Sequence, residues 1–122
     1  FDPRKFGWPW VEGTVSWVAP TAAALLAYAA SRRQSRRLPL ALAMLEDRAC
    51  AGGGWNAGNG RAFNVHLDPH PDFSAMAVCA LASHGSGETS RVGAAVRYLA
   101  ERLSSCRSAY SLAWGVLSLQ PH

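Results

Sequence analysis

Gly52-Gly53-Gly54-Trp55-Asn56 leads to Pro69-His70-Pro71-Asp72-Phe73-Ser74-Ala75 and then an apolar run. An earlier stretch follows the same plan: Gly7-Trp8-Pro9-Trp10 leads to Ser16-Trp17-Val18-Ala19-Pro20-Thr21-Ala22 and its own apolar run. Trp8 and Trp55 stand 47 residues apart, a plausible length for one helical hairpin with its loops. Glycines end a helix and let the backbone turn closely. The tryptophan that follows is then placed to pack flat against a neighbouring hairpin.

Working outward, five segments have helical character. They run from about Pro20 to Ser31, Pro39 to Cys50 and Phe73 to Ser83 with Asp72 as its cap, then from a cap at Thr89 or Ser90, then from Ser108 to Leu119. The first, third and fifth are apolar nearly all round. The second carries Leu38, Leu42 and Leu45 on one face, and the fourth carries Val92, Val96, Leu99 and Leu103. Only outer helices need a wet face, so the alternation predicts an inner layer of three helices wrapped by an outer layer of two. No segment alternates as a strand does, and strands are expected to be absent. The expected fold is all-α, one domain over 1–122, an array of about two and a half hairpin repeats. Repeat 1 spans about 7–53, repeat 2 about 54–106, and the start of a third about 107–122.

The longest apolar stretch, Trp17 to Ala30, is interrupted by Pro20 and Thr21 and is too short to span a bilayer. The opening Phe1-Asp2-Pro3-Arg4 has no initiator Met or leader and reads as the interior of a longer protein. A cytoplasmic location is expected. The net charge of +4 comes from eleven arginines and Lys5 against eight acids, a skew that GC-rich coding explains. Arg32, Arg33, Arg36 and Arg37 read as a solvated turn; no aromatic residue interleaves with them, which argues against a nucleic-acid surface. Cys50, Cys79 and Cys106 are odd in number and far apart, so no disulfide framework is expected.

Leu45 to Asn59, with its Gly-Gly-Gly-Trp core, is similar to the repeat of the prenyltransferase and squalene oxidase superfamily, and Ser16 to Ala22 before Leu25-Leu26-Ala27 resembles the inner-helix start of that repeat. Gly53 and Trp55 match the family's Gln-x-x-x-Gly-x-Trp pattern, while Ala49 replaces the Gln and the third repeat has only Ser104-Ser105-Cys106-Arg107 where a Gly-Trp belongs. The resemblance implies an α/α toroid-like arrangement. It also implies an apolar inner surface suited to an isoprenoid-like ligand, with Trp17, Phe73, Tyr110 and Trp114 as candidate lining residues. In enzymes of the superfamily either clustered acids protonate an alkene or a zinc held by Asp, Cys and His activates a thiolate. Asp47 is the candidate acid here, and Asp47 and Cys50 with His66 or His70 are the candidate zinc ligands. Glu46 and Asp47, the only adjacent acids, diverge on a helix, and Arg48 beside them favours ionisation. No complete catalytic site is legible, no cofactor is expected, and whether the chain is enzymatic stays open. A binding or scaffold module, a piece of an enzyme whose acid or metal site lies elsewhere, and a protein-interaction solenoid are the three readings. A piece of such an array leaves Tyr110, Leu112, Trp114, Val116 and Leu117 uncovered at one end and Trp8, Trp10 and Trp17 at the other, so self-association or contact with further repeats is expected.

Overall fold

A computed structural model describes residues 1–120 of the chain; the last two positions of the expected third repeat lie outside the described residues. Five helices carry more than half of those residues: α1 (Val18–Ser31), α2 (Arg37–Arg48), α3 (Pro71–Ser83), α4 (Ser90–Leu103) and α5 (Ala109–Leu119). The chain is mostly helical, as expected. Helices α1, α3 and α5 form a row with α3 in the middle; α2 packs on α1, and α4 backs both α3 and α5.

Two expected starts move by two residues. Pro20 and Pro39 each sit third in their helices, α1 and α2, where an N–H has no partner within the helix anyway. Asp72 is not the cap of α3. His70 holds that position with extended backbone, Pro71 is the first helical residue, and Asp72 accepts a bond from the N–H of Phe73 inside the first turn. Thr89 does cap α4, its hydroxyl accepting from the N–H of Val92 at 3.3 Å.

The expected absence of strands is overturned. Within the long α2–α3 connection, β1 (Arg61–Ala62) pairs antiparallel with β2 (Val65–His66). Phe63 and Asn64 close the turn with φ of 49° and 61°. Two successive positive φ values make a tight two-residue hairpin turn, which normally announces itself as Asn-Gly or Asp-Gly. Ala62-Phe63-Asn64-Val65 carries no such signal.

The core runs between the helices through Val18, Leu25, Leu38, Met44, Leu45, Val78, Leu81, Val92 and Leu99, with Trp55 at its centre. Alanines 75, 77 and 80 keep α3 slim enough to be flanked on both sides. Helix α5 is different. Its buried residues are Ser111, Gly115 and Ser118, while Tyr110, Leu112, Val116 and Leu117 face outward and Trp114 is half-buried.

The two Gly-Trp stretches are fastened by the same device. The Trp8 N–H donates to the Thr21 hydroxyl at 2.9 Å, that hydroxyl donates back to the Trp8 carbonyl, and the Trp17 N–H donates to the same carbonyl at 3.1 Å. At the second stretch, the Trp55 N–H donates to the Ser74 hydroxyl at 2.8 Å. The hydroxyl returns a bond to the Trp55 carbonyl at 3.1 Å, and the His70 N–H reaches that carbonyl at 2.8 Å. A hydroxyl can donate one bond and accept another, so one side chain satisfies both backbone groups of the tryptophan. The glycine before each tryptophan lets the strap approach. A Cβ on Gly7 would collide with the Thr21 side chain, and one on Gly54 would lie 2.6 Å from the Ser74 hydroxyl.

Candidate functional site

Asp47 and Arg48 end α2 and meet residues from the start of the chain. Arg48 is 4% exposed, is paired with Asp47, donates to the Lys5 carbonyl at 3.3 Å, and lies 3.9 Å over the Phe1 ring. The Asp47 carboxylate also accepts from the Asp2 N–H at 3.0 Å and faces the Lys5 ammonium at 3.7 Å. Burial pushes this carboxyl upward, but the Asp2 amide, the ammonium at Phe1 and the Arg48 and Lys5 charges outweigh it and hold the group below its ordinary value. A group that must donate a proton to an alkene needs the opposite environment. Asp47 sits here as the ionised partner of a buried guanidinium.

That arrangement has a pH signature. A folded-state pKa below the unfolded one, which is about 3.9, stabilises the fold above that value and stops doing so as pH falls through the lower folded pKa. Asp47→Asn should therefore cost about 2 kcal/mol at neutral pH, since Arg48 loses its charged partner. It should also flatten part of the acid limb of stability in denaturant melts run between about pH 2 and 6. Equal pH profiles for the two proteins would sink this account.

The candidate zinc ligands do not converge. Cys50 is buried; burial pushes its thiol up, and its N–H closes a turn on the Gly54 carbonyl at 2.9 Å. His66 lies exposed on β2, His70 is exposed at the start of α3, and Asp47 faces the N-terminal segment. Among the described residues no three His, Cys, Asp or Glu side chains form a group able to hold a metal ion.

Nor do the four candidate lining residues share one cavity. Trp17 lines a cleft of about 580 Å³ with Asn56, Gly58, Leu67, Asp68 and His70, at the N-terminal ends of α1 and α3. Trp114 lines a different one, about 400 Å³, with Leu26 of α1, Cys79 and Ala82 of α3, and Leu117 and Ser118 of α5. Phe73 stands edge-on to the His70 ring at 6.0 Å, and the Tyr110 hydroxyl points to the Met76 sulfur at 3.9 Å. A larger cleft, about 710 Å³, lies between the N-terminal segment and α2 and is bordered by Phe6, Trp8, Arg37 and Arg48. Arg37 spans the Phe6 and Trp8 rings there, 5.3 Å from each.

The groove between α1, α3 and α5 is the most apolar of these spaces. It exists because α1, α3 and α5 run side by side with a large residue on each flank and small ones, Cys79 and Ala82, at its floor. Cys79 is half-buried there, and burial pushes its thiol up, so it contributes an apolar wall. Comparison of the chain with protein-family models, with curated proteins and with solved structures gives no match in any of the three.

Proposed function

We propose that the chain is a helical-repeat binding module of the prenyltransferase and squalene-cyclase type, a partial α/α toroid, whose inner groove takes an apolar, isoprenoid-like ligand. The observation that carries this reading is the groove of about 400 Å³ formed by Leu26, Cys79, Ala82, Trp114 and Leu117. Its floor is small and its walls are large and uncharged, which suits a flexible hydrocarbon chain rather than a polar metabolite. The repeated strap of Gly-Trp on Thr21 and on Ser74 supports the array.

Farnesol titrated into the protein should quench tryptophan fluorescence saturably through Trp114. Ala82→Phe, which fills the floor, should weaken binding at least tenfold, because a filled groove loses about the area of one buried side chain. Unchanged binding in that variant, or no saturable binding in the parent, defeats the proposal.

A piece of an enzyme whose acid or metal site lies outside these residues remains the alternative that the resemblance implies. The exposed Tyr110, Leu112, Val116 and Leu117 face of α5 favours an interaction role instead. That role requires the solution mass to rise with concentration in light scattering, and Val116→Asp to abolish the rise.

A further inference from the structure

We infer that the Arg61–His66 hairpin docks the protein on an anionic lipid surface, independently of the groove above. The strands pair Arg61 with His66 and Ala62 with Val65, leaving Phe63 and Asn64 as the tip. Phe63 is 100% exposed at a φ of 49°, and Val65 beside it is 58% exposed. A bulky aromatic in the left-handed region is strained, and glycine or asparagine would close the same turn more easily. The phenyl ring buries nothing in return. Folding therefore gives no reason for a phenylalanine at this position, and an outside contact does.

The layering identifies that contact. Phe63 leads, Ala62 and Val65 come one residue behind it, and Arg61 and His66 follow. The Arg61 guanidinium donates to the Asn64 side-chain oxygen at 3.2 Å, which holds the positive charge alongside the tip. The hairpin from 61 to 66 contains no acid, and the whole chain carries a net charge of +4. An apolar point with a cation just behind it matches the depth profile of a membrane interface, where acyl chains begin a few ångströms below the phosphates. A protein partner would need a patch of about 800 Å² for a standard interface, and two strands of two residues offer no such face.

The mount is rigid. The Leu67 N–H donates to the Gly60 carbonyl at 2.9 Å, closing the base, and a Cβ on Gly60 would lie 2.6 Å from the Ala49 carbonyl oxygen. Leu67 and Trp17 border one cleft beside the base, so a half-exposed indole stands next to the hairpin. Indoles favour the headgroup level of a bilayer.

The test is co-sedimentation with mixed phosphatidylcholine–phosphatidylglycerol vesicles against pure phosphatidylcholine vesicles. The chain should bind the anionic vesicles, and binding should fall with added salt. Phe63→Gly accepts the positive φ without strain, so its melt should match or exceed the parent's. Its partitioning should drop about tenfold, the value of one aromatic side chain leaving an apolar phase. Arg61→Gln should lose about fivefold on anionic vesicles and nothing on neutral ones. Parent-like binding by Phe63→Gly, equal binding to both vesicle types, or no binding to either overturns the inference.

Discussion

Trp55→Ala should destabilise the fold by about 3–5 kcal/mol, the range for removing a buried large aromatic side chain. The indole is 0% exposed and packs at the middle of the core. Its N–H donates to the Leu45 carbonyl at 2.6 Å. Leu45 is among the last four residues of α2, whose carbonyls have no partner within the helix. The side chain therefore fills volume and also satisfies one end of a helix. Trp55→Phe separates the two contributions: it keeps most of the ring area and loses the N–H, so about 1–3 kcal/mol should go with the stranded carbonyl. Trp8, its counterpart in the earlier strap, is half-buried and packs tilted against Tyr28 with centroids 5.7 Å apart. Trp8→Ala should cost less than Trp55→Ala. Urea midpoints with an unchanged slope would measure all three, and a Trp55→Ala cost below about 1 kcal/mol would sink the account of the strap.

The helices were legible because their evidence is local and periodic. Leu38, Leu45, Val92 and Leu99 lie buried where their spacing put them. What escaped is settled between segments far apart in sequence. Glu46-Asp47-Arg48 reads as a polar helix end, yet Arg48 is buried, because Lys5 and Phe1 close over it from more than forty residues away. The β-hairpin escaped because Phe63 and Asn64 adopt a turn that local propensity disfavours. The candidate lining residues share only their aromatic character, and sequence does not fix the rotation of α1 against α5. The structure consequently puts Trp17 and Trp114 in different clefts. Thr21 and Ser74 have no sequence context for a nucleophile, and their hydroxyls fasten the straps instead. A signal for this was present: each stands immediately before an alanine, Ala22 or Ala75, at the same point of the two related stretches. Ser111 follows Tyr110 as Ser74 follows Phe73, but no Gly-Trp precedes it, so α5 has the hydroxyl without the strap.

Glycines 54, 85 and 52 give the sharpest test of that strap, because the structure asks different things of them. Gly54 has a φ of +83°, and a Cβ there would lie 2.6 Å from the Ser74 hydroxyl, 3.0 Å from Pro69 and 3.1 Å from Tyr98. None of these neighbours can withdraw freely. The Ser74 hydroxyl holds both backbone groups of Trp55, Pro69 is a ring, and Tyr98 is tied to the Pro69 carbonyl at 3.0 Å. Backbone strain of about 1–3 kcal/mol adds to overpacking of about 1–3 kcal/mol, so Gly54→Ala should cost about 3–5 kcal/mol. Gly85 has a φ of +77° with nothing within 4 Å, so Gly85→Ala should show the strain alone, about 1 kcal/mol. Gly52 has open space and an ordinary φ, and Gly52→Ala should be neutral or slightly stabilising. The order 54, 85, 52 in thermal or urea melts is therefore required. Ser74→Ala combined with Gly54→Ala should cost less than the sum of the two single changes, because the nearest clashing atom is gone. Additive behaviour would mean that the hydroxyl does not fasten the strap, and the shared construction of the two Gly-Trp stretches would fall with it.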